Sequence, residues 1–386
     1  MMAQLKRIKC EAGVSDTEHG SHTLDTFTSA LADEWTLAHR HHYQHNIENM
    51  IGTVKIPVGI AGPIRVKGRY ATGEFQIPLA TTEATLVASY HRGSKLITEA
   101  GGCTALLTRE GVRRAPGFAF RNLNEVQQFV EWIETNLATL RQVAESCTRF
   151  GKLIDLHINI EGNHVYLGFE YEVGDAAGQN MVTIATHAIC EYINHHSPVA
   201  PQYYFVEANL SGDKKASALS FVNVRGKKVS AEIELPAELV EKHLHTSTAR
   251  MVDYWRMSAI GGVLSGSIGV QGHYANGLAA LYIACGQDAA CVAESAVGVT
   301  RFELTQQGGL YAAVTLPNLI VGTVGGGTGL PSQYACLELM GLAGADNARA
   351  FAEVTAALML AGELSIIGAL SADQFTRAHQ RFARGV

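Results

Sequence analysis

The chain has 386 residues, 30 Lys+Arg against 36 Asp+Glu for a net charge of −6 with His neutral, and 47% apolar residues. At roughly 100–200 residues per domain, this length gives two or three domains able to bury a core unaided, which excludes a small scaffold stapled by disulfides or metal. The mild acidic excess, with no Lys/Arg block longer than the pairs at 214–215 and 227–228, argues against nucleic acid as a partner.

Behind its basic residues the N-terminus has no apolar run of signal-peptide length. The most apolar stretch, Ala356–Ala369, is interrupted by Glu363 and falls short of the roughly 20 residues of a membrane span. A soluble, cytoplasmic chain with no membrane partner is therefore expected. The seven cysteines, at 10, 103, 147, 190, 285, 291 and 336, form no CxxC pair and read as reduced thiols, most of them in the core.

Residues 1–50 alternate polar and apolar at helical spacing and read as a helical N-terminal arm. The patch from His39 to His45 sets His41 and His45 at i, i+4, the spacing of a metal pair, but no further ligand follows at a motif distance and no metal is assigned. From 51 to 120 come short β-like runs (TVKIPVGI, PIRVKG, EFQIPL), then a helix expected from Glu83 to Ala100. Next read a helix over Leu123–Val143, a strand over Lys152–Ile160, a turn at Glu161–Asn163, a strand over His164–Val173, a helix over Gln179–Asn194 and a strand over Gln202–Glu207. After a preceding strand, this order fits a ferredoxin-like split βαβ unit. From about 225 to 290 the pattern returns to strand, helix and a Gly/Ser-rich turn series (GGVLSGSIGVQGH), and the tail from Gln333 reads as helical.

Several local features carry chemistry. The run Gly322–Gly329 lets backbone N–H groups approach a phosphate or flat cofactor, or makes a tight turn; it lacks the Lys-Ser/Thr ending of a P-loop, and no GxGxxG follows a strand. The segment Gly174–Met181 (GDAAGQNM) joins a strand to a helix, either as an anion site at the helix N-terminus or as a turn capped by Asp175. Asp213-Lys214-Lys215 puts two ammonium groups on a turn. Glu83, behind Thr81 and Thr82, sits in an expected first helical turn, Asp288 ends an apolar run as a candidate cap, and His379 lies near the C-terminus in a helix of mixed polarity.

Taken together, these pieces resemble one family. The stretches ENMIGTVKIPVGIAGP (48–63), ATTEATLVASYHRGSK (80–95), GDAAGQNM (174–181), DKK (213–215), NGLAALYIACGQDAA (276–290), VGTVGGGTG (321–329) and AGELSIIGALSADQFTRAH (361–379) are similar, in order, to the catalytic portion of the hydroxymethylglutaryl-coenzyme A reductase family. The TTEA and GDAAGQNM forms look more like its eukaryotic and archaeal (class I) members. The resemblance implies an α+β fold: a large domain (51–115 and 208–386) around a long central helix, with an inserted ferredoxin-like small domain (116–207) that binds NAD(P)H, behind the arm at 1–50. It also implies a homodimer or higher oligomer with active sites between subunits.

Carried over residue by residue, the implied catalytic set is Glu83, Lys214, Asp288 and His379. Reducing a thioester to an alcohol takes two hydrides, through a hemithioacetal and an aldehyde. Lys214 would stabilise the developing oxyanion, Glu83, held protonated by burial beside Asp288, would protonate it, and His379 would protonate the departing thiolate. The implied cofactor contacts are Asp175, Gly178, Asn180 and Met181 with Gly325, Gly326 and Gly327. Arg149 sits where a 2′-phosphate is held, which favours NADPH over NADH. Ser89 and Arg92 are implied contacts of coenzyme A, and Asn276 of the thioester. Lys215 and Arg114 stand where the acyl group's terminal carboxylate is met. Three positions depart from the family pattern: Glu207 replaces a Ser, Met257, beside Arg256, replaces a Lys, and Ala84 replaces a Gly. Two readings result: reduction of hydroxymethylglutaryl-CoA to mevalonate, or the same chemistry on a CoA- or carrier-bound acyl thioester lacking the terminal carboxylate. A binding protein that merely retains the fold is disfavoured by the complete catalytic set.

Overall fold

The computed structural model describes residues 31–148 and 150–372. The chain divides into a first unit ending at Lys55 and a second beginning at Ile56.

In the first unit, helix α1 (Glu34–Ala38) is capped by Asp33, whose carboxylate accepts from the Thr36 N–H at 2.8 Å. His39 closes it and a 3-10 turn (Arg40–Tyr43) follows, in which the His41 and His42 rings lie 4.2 Å apart. The expected continuous helix therefore breaks at His39. His41 lies in the 3-10 turn and His45 beyond it, so the two do not share an α-helical face. The arm's residues 1–30 lie outside the described residues.

The second unit opens with the antiparallel pair β1 (Val58–Gly68) and β2 (Thr72–Ala80), then α2 (Leu86–Glu99). Leu86, Tyr90, Gly93 and Ile97 recur at helical spacing and are buried. The helix starts three residues later than expected, after Thr85 in a left-handed conformation, so Glu83 lies in the preceding loop, its N–H bonded to Thr81 Oγ1. Strand β3 (Cys103–Arg114) is long enough to serve two parts of the sheet: its start pairs with β1 and its end with a later strand, β6 (His164–Glu172).

After β3 come β4 (Gly117–Ala119), α3 (Leu123–Ser146), β5 (Lys152–Glu161), β6 (His164–Glu172), α4 (Gln179–His196) and β7 (Tyr203–Phe205). These strands pair antiparallel in the order β7-β4-β6-β5, the arrangement of a split βαβ unit. Helices α3 and α4 bury Phe129, Ile133, Val182 and Ile189 against Phe118, Leu167 and Phe169 of the strands, which makes a separate hydrophobic core.

The chain then forms β8 (Gly226–Leu235), α5 (Ala237–Leu244), α6 (Thr248–Ser265), α7 (Tyr274–Ala284), α8 (Val292–Ser295), β9 (Val299–Leu304), β10 (Leu310–Leu319), α9 (Pro331–Leu339) and α10 (Ala348–Ser371). Strands β3, β8, β10 and β9 are neighbours in that order, so one sheet runs β7-β4-β6-β3-β8-β10-β9. Gly261 to Ser265, expected in a turn, are the last turn of α6. Ser247 caps its start and Gly266, at φ 74, ends it, because the apolar run from Met251 outweighs two interior glycines.

Helix α10 is the centre of the larger core. At 24 residues it is long and apolar enough to cross a membrane by length and composition, contrary to the shorter stretch read from sequence, yet it is packed inside the protein. Its two glutamates are buried and matched. Glu353 accepts from the N–H groups of Tyr70 and Ala71 at 2.8 Å, and Glu363 from Gly272 N–H at 2.7 Å, His273 N–H at 2.9 Å and Thr300 Oγ1 at 2.7 Å. Such bonds compensate the desolvation of each carboxylate and tie the helix to the loops around it. A Cβ on Gly93 would stand 1.9 Å from the Ala361 carbonyl oxygen, so α2 approaches α10 as closely as only glycine allows. The architecture is the expected α+β fold around a long buried helix.

Candidate active site

The two glycine segments singled out in the sequence meet. The backbone of Asp175 accepts from Thr323 N–H at 2.8 Å, and Ala176 bridges Val324. A Cβ on Gly322 would lie 2.5 Å from Ala177 N, so this contact requires glycine. A third segment joins them: the Gln287 side chain donates to Gly322 O at 3.0 Å and accepts from Gly322 N–H at 2.8 Å, while Gly286 and Gly327 pack backbone to backbone. Asp288 is thereby fixed beside the glycine loop.

Gly325 (φ 73) and Gly326 (φ 54) carry the loop through left-handed conformations, and a Cβ on either would project into open space. Gly178, also left-handed, starts α4, where the first-turn N–H groups have no helical partners. Asn180 is exposed there, and Met181 accepts from Thr148 Oγ1 at 2.9 Å. Asp175 caps a different helix from the one expected: its carboxylate accepts from Asp346 and Ala348 N–H at 2.8 and 3.1 Å, at the start of α10. The cap is available to α10 because Gly178, not Asp175, immediately precedes α4. Arg149 lies outside the described residues.

Lys214 and Asp288 form an ion pair at 2.9 Å, both side chains somewhat under half exposed. Lys214 is a non-glycine residue at φ 55, a conformation held by its neighbours and typical of functional turns. Its hydrogen bond to Asp288 raises the lysine pKa against the opposing effect of burial. For Asp288, burial pushes the pKa up, but the bonds from Lys214 and Ala290 N–H outweigh it and hold the carboxyl below its ordinary range. Asp288 also caps a short 3-10 turn, Ala289–Cys291, as the sequence suggested.

Glu83 departs from expectation. It is exposed, and its carboxylate is gripped by the Asn276 side-chain amide at 2.9 and 3.1 Å, not buried beside Asp288. Asn276 stands in the first turn of α7 and Asp288 just beyond its last, so one helix presents the donor to Glu83 and the acceptor for Lys214. The delayed start of α2 is the reason Glu83 is free to reach Asn276. His379 lies outside the described residues.

Beyond Asn276, the implied substrate contacts divide into three places. Ser89 Oγ and Arg92 Nε both bond Ser365 Oγ, at 2.9 and 3.0 Å, placing them on one face between α2 and α10. Arg114, nearly buried, donates to Asp213 at 2.9 Å and to Glu207 at 3.2 Å, so Glu207 occupies part of the guanidinium. Lys215 Nζ bonds only the Asp213 carbonyl, at 3.0 Å, among the described residues. Met257 is 78% exposed on α6 and lines a groove of about 360 Å³ with Tyr254, Gly261 and Gln271, while Arg256 pairs with Asp253. Ala84 is exposed in the loop before α2.

Sequence reasoning missed the groups beneath the site. Arg225, 1% exposed, bonds Asp213 and Gln179 at 2.7 Å each and Glu294, while Gln179 donates to Cys291 at 2.8 Å. An Arg between β-like residues gave no periodic signal. The ligand atoms of Asp155, His157 and Glu170 also lie within 4.8 Å of one another. Glu170 is already paired with Arg109 and Arg113, which makes this an ion-pair cluster, not a cation cradle.

Comparison with known proteins identifies the family and the fold. The sequence model of hydroxymethylglutaryl-coenzyme A reductase matches residues 18–384. The chain is 45% identical over 347 residues to the 3-hydroxy-3-methylglutaryl-coenzyme A reductase of Pyrococcus horikoshii, covering 88% of this chain and 84% of that one. It is 44% identical to the enzyme of the same name from Methanothermobacter thermautotrophicus, covering 89% and 86%. The structure of the class II reductase of Streptococcus pneumoniae, bound to NADPH in open conformations, superposes with a TM-score of 0.70 at 20% identity, covering 96% of both chains, and so shares the fold. The archaeal relatives accord with the likeness read in the TTEA and GDAAGQNM segments, and the chain belongs to the hydroxymethylglutaryl-coenzyme A reductase family of oxidoreductases.

Proposed function

We propose that this chain reduces hydroxymethylglutaryl-CoA to mevalonate and free CoA with two NADPH, working as a homodimer in the cytoplasm. The observation that carries the reading is the Lys214–Asp288 pair fixed beside the junction of the two glycine segments. The open space over the left-handed backbone of Gly325 and Gly326 fits a flat cofactor. The unpartnered first turn of α4 at Gly178 to Met181 fits its phosphates. NADPH bound there supplies the hydride. In this reading residues 116–207 form the cofactor domain, 51–115 with 208–386 the substrate domain, and Arg149 meets the 2′-phosphate.

Each hydride addition leaves negative charge on the former carbonyl oxygen. The Lys214 ammonium, kept charged by Asp288, stabilises it. Glu83, positioned by Asn276 and open to solvent, passes on a proton taken up from water, and His379 protonates the departing thiolate. Arg114 and Lys215 meet the acyl carboxylate, Arg92 and Ser89 the CoA portion. Two features support a dimer. Glu83 is exposed on a single chain, and α6 presents Met257, Ile260 and Leu264, 78%, 62% and 83% exposed, along one face. The six described cysteines, all free thiols, accord with a reducing compartment.

The reading is tested by incubating the purified protein with hydroxymethylglutaryl-CoA and NADPH and identifying the product by mass. Mevalonate is the expected product, with NADH a poorer donor. Reduction only of an acyl-CoA without a terminal carboxylate would transfer the same chemistry to another thioester, the outcome that Glu207 on Arg114 would then explain.

A further inference from the structure

We propose that Arg225 is a positioning residue for the reduction, holding the Lys214 turn in register with Asp288 and with the first turn of α4. Four polar groups from three segments of the site converge on or beside it. One guanidinium nitrogen, Nη2, donates to Asp213 Oδ1 and to Gln179 Oε1, both at 2.7 Å, and the other, Nη1, pairs with Glu294. Asp213 immediately precedes Lys214, Gln179 is the first residue of α4, and Glu294 lies six residues after Asp288. Gln179 closes the circuit by donating to Cys291, in the 3-10 turn that Asp288 caps.

The backbone of Arg225 is itself pinned, its N–H donating to Asn318 Oδ1 at 2.8 Å from β10. Its side chain is 1% exposed, so water does not compete for these bonds. Lys214, by contrast, is a little under half exposed in a left-handed turn, and its ammonium keeps its 2.9 Å contact with Asp288 only while the two turns stay in register. The rigidity comes from beneath. A planar fork reaching three acceptors can set the distance between the Lys214 and Asp288 turns, which a lysine's single ammonium cannot do.

This inference rests on Lys214 acting in the reduction. Its test is a double-mutant cycle of Arg225→Lys and Lys214→Ala, read by steady-state NADPH oxidation with hydroxymethylglutaryl-CoA and by circular dichroism. Displacing a catalytic group by about 1 Å costs on the order of 10²-fold in rate, so R225K is expected to lower kcat by that order, with KM for NADPH and thioester changed less than about twofold. In the K214A background the same substitution is expected to change nothing further. Losses that multiply, or a KM rising with the fall in kcat, would overturn the inference. Wild-type rates in K214A alone would instead overturn the proposed function. If R225K does not fold, Glu294→Gln, which keeps the shape but removes the charge that Arg225 Nη1 holds, takes its place in the cycle with the same expected result and the same refutation.

Discussion

Replacing Lys214 by alanine separates chemistry from stability. The ammonium stands 2.9 Å from Asp288, with both side chains somewhat under half exposed. Exposed ion pairs contribute about 0–1 kcal/mol to folding, so the melting temperature of K214A should move only slightly. The catalytic loss should be much larger. Removing one preformed oxyanion donor costs about 10²–10³ in kcat, about 2.7–4 kcal/mol of barrier. Removing the lysine also releases the Asp288 carboxyl from a bond that lowers its pKa, so that carboxyl shifts upward in the variant. The assay follows NADPH absorbance at saturating thioester beside a thermal melt of the same sample. The reasoning is refuted if K214A keeps more than about a tenth of the wild-type kcat, or if the rate loss is matched by a comparable loss of stability.

Other consequences follow from neighbouring geometry. Gly325 has φ 73 and ψ 178, a region only glycine occupies readily; Gly325→Ala should force the loop to re-route at about 1–3 kcal/mol and raise the KM for NADPH on the order of tenfold, measured by steady-state kinetics. Glu207→Ser frees Arg114 from one of its two carboxylates; the KM for hydroxymethylglutaryl-CoA should fall by about tenfold, and an unchanged KM would remove Arg114 from the substrate site. Burial pushes the Glu294 carboxyl up to about 7 from 4.5, with Arg225 opposing. A carboxyl with a raised folded pKa binds more protons folded than unfolded, so its contribution to stability is complete below pH 4.5 and is lost as pH rises through 7. Urea titrations from pH 4.5 to 7 should show this decline in the wild type and a flatter dependence in Glu294→Gln.

What could be read from sequence divides along physical lines. The split βαβ unit was legible because its helices and strands carry clean periodicities: α3 and α4 bury residues at helical spacing, and β6 is bounded by a two-residue turn. Helix starts were less legible. Glu83 reads as first-turn because threonines precede it, but a left-handed Thr85 delays α2, and only the folded backbone shows that Asn276 becomes its partner. Asp175 looks like the cap of the helix that follows it and caps α10 instead, a contact across 173 positions that no local pattern encodes. The meeting of the two glycine segments was implied by resemblance alone, since neither segment signals the other. Arg225, close to Lys227 and Lys228, and Glu294 left no trace because one charge looks like another until its partners are known.

The central claim is that this site carries out two successive hydride transfers on one thioester. Measuring NADPH oxidised at 340 nm against thiol released from hydroxymethylglutaryl-CoA, in the same cuvette with a thiol reagent, tests it directly. Two NADPH are expected to be consumed for each CoA thiol, with both signals lost in K214A. A ratio of one, or thiol release without NADPH oxidation, would contradict it.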